Sequence, residues 1–448
     1  MALLVKRCTS IEQQIPFPKS AAPEAVENTF VQREARPGDT VMTDELVHDS
    51  EMNVEERVAE SSTQAIPFNF AQEAWRIIDA QRCDPDCYYI GMDLHSDNVV
   101  VTVIQSRFDR GQLVGKRVYK KRITTINDGG ATLVKELEPF CSGHTHLACV
   151  ESTYNIYFVF DLFEERGWNI VIADPCAVSQ ARLKASNDFT DAEYLAERLR
   201  TNSLHISLIL PHETRGVRDM VRHRGVLVQD RARQKIIITN MYANHRGLRL
   251  PAKIDKLVEL GKEQGWNLDD PELTAVLPDR LARVKLVSLL QMVAYTDQVI
   301  EFVSAEIKKR CKEIPYTAAL LKITGIGPVL ATTIGSEIGD IARFQNSKNF
   351  VSYCRLAPTS RLSNGKKKGE SNAKNGNAYL SWAMTEAANI MMRYEPRAKK
   401  AYERSLKKHQ HVAYGRVIAL RSLAARIARG IYAALSTGEV FDPRKCFG

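Results

Sequence analysis

Three β-rich runs stand close together early in the chain: "CYYIGMDLH" (87–95), "NVVVTVIQ" (98–105) and "KRVYKKRIT" (116–124). Short connections between successive strands leave no room for a crossover, so the three predict an antiparallel meander. The pattern then alternates. A helix from about 130 to 138 precedes the strand "HLACVES" (146–152), the helix "YFVFDLFEERG" (157–167), the strand "NIVIADP" (169–175) and a helix opened by "NDFTDAEYLAERL" (187–199). Strand–helix alternation calls for parallel strands with helical crossovers. Meander and alternation together predict a mixed sheet flanked by helices over residues 86–212.

From 213 to 318 the chain turns helical. "RGVRDMVRHRGVLVQDRARQKIIITNMYANH" and "RVKLVSLLQMVAYTDQVIEFVSAEIKKR" read as two long helices of an antiparallel hairpin. The first carries seven basic residues between Arg215 and Lys235 against Asp219 and Asp230, which suits either a nucleic-acid contact or a solvated helix face. Residues 319–448 open on "ITGIGPVLATTI" (323–334). Gly-Ile-Gly-Pro between apolar helical segments reads as a helix-hairpin-helix whose glycines let backbone N–H groups approach a phosphate, or as a plain turn. A helix near "SKNFVSYCRLAP", a polar stretch over 359–382 and a basic helical tail follow; Arg393 to Arg429 holds eleven Lys/Arg against Glu395 and Glu403.

Charge is unevenly spread. Residues 1–60 contain 6 Lys/Arg and 12 Asp/Glu, and the rest 56 and 41, so an acidic leader precedes a basic body. A basic body of this size suits a polyanion partner, most simply nucleic acid. Residues 1–85, rich in Pro, Glu, Ala and Ser, are expected to be mostly disordered, with a short helix around Phe70 to Gln81. The nine cysteines are scattered without a CxxC pair, which favours reduced structural thiols over zinc ligands or disulfides. No apolar run is read as a membrane span and no signal-peptide core is visible, so an intracellular protein is expected.

Asp188 and Asp191 lie three positions apart at the mouth of a helix, with Glu193 beside them. Acidic residues favour a first helical turn for its exposed N–H groups and dipole, so helix entry alone would account for them. The other reading is a divalent-metal site, which needs carboxylates from elsewhere. Asp93 lies in the first strand among apolar residues, and Glu151 ends the fourth in "LACVESTYN". A buried strand-end charge costs several kcal/mol unless something positive offsets it. In a ribonuclease-H-like fold these positions converge, and two oxygen-ligated Mg²⁺ ions there could stabilise the attacking and leaving oxygens of phosphoryl transfer. Mutual repulsion is then expected to raise the pKa of one or more of these acids until the metal arrives.

Over residues 87 to about 400 the chain resembles the DEDD insertion-sequence transposases, a family that includes the Piv-type DNA invertases. The motifs are "YIGMDLHSDNVVVTVI", "CVESTYNIY", "NDFTDAEYLAERL", "ITGIGPVLATTIGSEIGDIARFQNSKNFVSYCRLAP" and "SNGKKKGESNAKNGNAYLSWAMTEAA". The resemblance implies a RuvC-like domain, a long helical hairpin and a mainly helical C-terminal transposase domain with a helix-hairpin-helix. It implies Mg²⁺ held by Asp93, Glu151, Asp188 and Asp191. A catalytic serine would fall on Ser363 in "RLSNGKKKG", with Ser360 and Ser371 as local competitors and Lys366, Lys367 and Lys368 supplying charge for a phosphate. DNA recombination through a phosphoserine, guidance by a structured non-coding RNA, a homodimer or tetramer, and a cytoplasmic, nucleoid-associated location are further expectations. The chain departs from the family pattern in lacking a glycine shortly after Glu151, in carrying Asn364 before Gly365, and in its long leader.

Three rivals remain. An actin-like or sugar-kinase ATPase shares the meander and the first-strand Asp, but "DLHSDN" offers no Gly-rich phosphate turn. A nucleic-acid-binding protein without catalysis would leave four carboxylates on a basic body unexplained. A DEDD-type nuclease would not need Ser363.

Overall fold

A computed structural model describes residues 86–109, 112–125, 128–151, 153, 155–174, 187–210, 212–250, 253–357, 362–363, 366–367 and 376–448. The leader, with the helix expected near Phe70–Gln81, lies outside the described residues, as do Ser360, Ser371 and Lys368.

Strands β1 (Tyr88–Leu94), β2 (Asn98–Asp109), β3 (Gln112–Thr124), β4 (His146–Glu151) and β5 (Ile170–Ala173) form one sheet in the order β3-β2-β1-β4-β5. The first three pair antiparallel; β4 runs parallel to β1, and β5 parallel to β4. Helix α1 (Ala131–Cys141) joins β3 to β4, and α2 (Ile156–Glu164) joins β4 to β5. Period-two alternation assigns the faces. Ile90, Met92 and Leu94 share a core with Leu133, Leu137, Val159 and Phe163 of α1 and α2. Tyr89, Leu147, Cys149 and Val171 pack in a second core with Leu195 and Leu199 of α3 (Asp188–Arg200). Strands buried on both faces read as nearly unbroken apolar runs, as β1 and β4 do.

The helical arm consists of α4 (His212–Arg246) and α7 (Arg280–Arg310), with α5 (Ile254–Gln264) and α6 (Pro271–Val276) between them. At 35 residues, α4 spans roughly 50 Å at about 1.5 Å per residue. Arg224 Nε donates to Ser304 Oγ at 2.7 Å and Arg231 Nη1 to Asp297 Oδ1 at 2.6 Å, so α4 ascends as α7 descends. The connection is not plain loop: Leu257, Val258, Leu273 and Val276 of α5 and α6 close a core with Ile238, Met241, Leu286 and Leu290. A segment within Arg280–Glu313 passes for a membrane span by length and composition alone, a test that a mostly buried core helix also passes. Half of that window is buried in packing.

The basic stripe on α4 is neither free contact surface nor merely solvated. Arg215 pairs with Asp161, Arg218 Nη2 donates to Tyr157 Oη, Arg222 meets Glu337, and Arg233 pairs with Asp230. Lys235 pairs with Asp255, and Arg224 and Arg231 reach α7. The stripe is mostly an internal seam.

The C-terminal region contains α8 (Thr317–Leu320), α9 (Pro328–Ile338), α10 (Ser347–Tyr353), a hairpin of β6 (Leu362–Ser363) and β7 (Lys366–Lys367), α11 (Ala378–Tyr394), α12 (Pro396–His409), α13 (Gly415–Thr437) and α14 (Pro443–Phe447). In the α8–α9 turn, Gly325 has φ +85° and a Cβ there would stand 2.9 Å from Met391 N. This glycine is required by the close approach of α11. Clearance for a phosphate is not needed to explain it.

Candidate metal centre

Gly91 sets the geometry of the site. A Cβ at this position would lie 1.9 Å from Ala192 O and 2.6 Å from Ala196 N, so the backbone of α3 rests on β1. Tyr89 packs near the far end of α3 with Leu195 and Leu199, whereas Asp93 meets its first turn, so helix and strand run in opposite senses. The helix N-terminus therefore hangs over the C-terminal ends of β1 and β4.

Asp93 projects from the α3 face of β1, two residues beyond Gly91. Glu151 lies one position past the Met92–Val150 pair on the adjoining strand, and alternation puts it on the same face. Arg122 pairs with Val100, which pairs with Asp93, so strand β3 delivers a guanidinium to that row.

Helix entry is handled by other residues. The Asn187 side chain accepts from Thr190 N at 2.9 Å, and Asn187 N donates to Thr190 Oγ1 at 2.8 Å, a reciprocal capping box. The carboxylate of Asp188 points instead to the sheet. Arg122 Nη2 donates to its Oδ2 at 2.6 Å, and His95 Nε2 stands 3.3 Å from the same oxygen and 3.5 Å from Asp93 Oδ2. Glu193 is held by Arg117 at 2.9 Å and Lys120 at 3.4 Å, which makes it a surface ion pair. Phe189 lies under the cations of Lys120 and Arg122.

The pKa of Asp188 is lowered, so it is not the acid of the cluster that mutual repulsion raises. The Arg122 hydrogen bond is the main cause, opposed by partial desolvation, and the charge of His95 also contributes.

Among the described residues, Asp93, His95 and Asp188 each place a ligand atom within 4.8 Å of the others. Glu151 and Asp191 are not in that group; Asp191 is buried in the first turn of α3. Two carboxylates and an imidazole at this spacing fit one divalent cation. A second observation agrees: His95 Nε2 is buried and makes no hydrogen bond. Sequence reading passed over His95 and Arg122. The signal for His95 was present, since alternation places it on the face of Asp93.

Ser363 lies in the C-terminal region, on the hairpin in which it pairs with Lys366. The stretch around that hairpin is closed at its neck. Asn377 N donates to Tyr353 O at 2.6 Å, and Arg355 Nε donates to Gly376 O at 2.8 Å. Asn377 Nδ2 also donates to Glu337 Oε2 at 2.7 Å, tying the neck to α9 and, through Arg222, to α4.

Two family models match the chain. One, DEDD_Tnp_IS110, described as a transposase, covers residues 90–243; the other, described as Transposase IS116/IS110/IS902 family, covers residues 317–403. The transposase for insertion sequence element IS1328 of Yersinia enterocolitica is 24% identical over 306 residues, 66% of this chain and 85% of that protein. The 43.6 kDa protein of insertion element IS110 from Streptomyces coelicolor is 26% identical over 140 residues, 31% of this chain and 34% of that protein. The acidic cluster lies inside the first matched region and the Ser363 hairpin inside the second, so in both parts the chain resembles the transposase domains of IS110-type insertion sequences.

Proposed function

We propose that this chain is a DNA recombinase of a mobile element, in which a RuvC-like domain holds Mg²⁺ and Ser363 of the C-terminal domain attacks a DNA phosphate. The observation that carries the reading is the approach of Asp93 and Asp188 where α3 crosses β1, within the part matched by the DEDD transposase model. Glu151 and Asp191 complete the acid set by the family resemblance, and the sheet register sets Glu151 beside Asp93. When bound, the cation would neutralise phosphate charge and stabilise the attacking and leaving oxygens.

Asp93 and Asp188 would orient the scissile phosphate through that cation. Arg122, already drawn to the site by Asp188, offers a guanidinium to a neighbouring phosphate oxygen. Ser363 Oγ would form a bond to phosphorus while one phosphodiester P–O bond breaks. The hydroxyl proton would pass to the departing DNA oxygen, leaving a phosphoserine that a second DNA hydroxyl resolves. A structured non-coding RNA would choose the DNA partners, and a dimer or tetramer would assemble the exchange complex.

The test combines the full chain with element-end DNA and any RNA that co-purifies with it. Wild type is expected to form a covalent protein–DNA adduct in Mg²⁺, and Ser363→Ala to bind DNA and cation without forming it. Adduct formation by Ser363→Ala would overturn the nucleophile. Strand exchange unaffected by removal of all RNA would overturn the guide.

A further inference from the structure

We propose that His95 is a nitrogen ligand of the cation held by Asp93 and Asp188, and that it tunes the site toward Mn²⁺ over Mg²⁺; the inference rests on the metal-site reading above. The ring is about a third exposed, yet its Nε2 is buried, makes no hydrogen bond and has carboxylate oxygens of Asp93 and Asp188 at 3.5 and 3.3 Å. Both oxygens lie within ion-pair distance, yet neither makes a hydrogen bond with the nitrogen, so all three atoms face one small space. A cation between the three groups would satisfy the nitrogen and remove the repulsion between the two acids.

The backbone holds His95 ready for that role. Its N–H donates to Asn98 O at 2.9 Å across the β1–β2 turn, and its carbonyl accepts from Asn155 Nδ2 at 2.8 Å. Asn155 follows β4, so the strand ending in Glu151 also braces the turn carrying His95. Two-residue alternation then aims the imidazole to the side on which Asp93 and α3 lie. Pre-positioned ligands lose less freedom on binding.

The donor set has a consequence for ion choice. Mg²⁺ strongly prefers oxygen ligands and gives up water reluctantly, whereas first-row transition ions accept imidazole nitrogen. Replacing His95 should therefore weaken Mn²⁺ far more than Mg²⁺.

The experiment is Mn²⁺ binding to the full-length protein, read by pulsed electron paramagnetic resonance and by titration. Wild type is expected to show hyperfine coupling to a histidine nitrogen that changes with isotope-labelled histidine and disappears in His95→Gln. In that variant Mn²⁺ affinity should fall by at least the roughly tenfold that follows loss of a group supporting a metal ligand. Mg²⁺ affinity should change by less than about twofold, because oxygen ligands dominate its binding. Asp93→Asn should lose the Mn²⁺ signal, which assigns the ion to this centre. Mn²⁺ bound at the acids without nitrogen coupling would overturn the role of His95 and leave the metal-site reading standing. Failure of wild type to bind Mn²⁺ or Mg²⁺ at all would overturn both.

Discussion

Arg122 donates from Nη2 to Oδ2 of Asp188 at 2.6 Å, joining the edge strand of the sheet to the first turn of the helix that crosses it. This hydrogen bond holds the carboxyl of Asp188 below its ordinary range. A depressed acid adds stability above its unfolded pKa and loses it as pH falls through the folded value. Arg122→Gln should therefore raise the Asp188 pKa and remove that acid-side contribution. Carboxyl NMR titration of the cation-free protein reads it directly; an unchanged Asp188 pKa would assign the shift elsewhere.

Glu337 should be a structural hinge point between the arm and the C-terminal region. Its side chain is 1% exposed and accepts from Arg222 Nε at 2.6 Å, Arg222 Nη2 at 2.8 Å and Asn377 Nδ2 at 2.7 Å. Glu337→Ala leaves a half-buried guanidinium and the buried Asn377 amide without their partner and should cost roughly 1–3 kcal/mol of stability. A chemical melt checks this. A loss below about 1 kcal/mol, the level of a surface pair, would mean the network is slack.

Salt dependence of DNA binding should come from the tail. All eleven lysines and arginines between Arg393 and Arg429 are exposed, whereas the seven on α4 all have intramolecular partners. Changing Lys399, Lys400 and Lys407 to Gln should reduce the log–log salt slope by about 0.9 for each DNA phosphate left without its cation. Arg231→Gln should lower the melting temperature and leave that slope alone. The opposite pattern would return nucleic-acid binding to α4.

Assembly should pass through the outer face of α7. Leu281, Val284, Met292, Tyr295 and Phe302 are exposed. At about 100° per residue they form one stripe roughly 80° wide. Mixing Asp93→Asn with Ser363→Ala should restore part of the recombination activity, because one composite site in a mixed assembly keeps both elements. Adding Tyr295→Glu and Phe302→Glu to both chains should remove the rescue. Two inactive variants that co-assemble on DNA yet never cut it would place acids and serine in one chain.

Much of this was legible locally. The alternation of Ile90, Met92 and Leu94 against Tyr89, Gly91 and Asp93 gives the two faces of β1, and Gly91 marks where α3 lies against it. Long-range pairing was not legible. Nothing near Arg222 in sequence announces Glu337, 115 positions away, so a seam looked like a solvated or nucleic-acid-binding face. The capping role of Asn187 and Thr190 was written in four consecutive residues but was masked by the more conspicuous aspartates. Alternation puts His95 on the face of Asp93, but its place as a third ligand shows only once the first turn of α3 is set above it.

The most direct test is cleavage of element-end DNA in Mg²⁺ by wild type and by Asp93→Asn and Asp188→Asn, each checked for an unchanged fold by circular dichroism. Metal-dependent cutting by wild type and its loss in both variants, with DNA binding retained, is the expected result. Normal cutting by either folded variant would contradict a metal centre built by β1 and the first turn of α3.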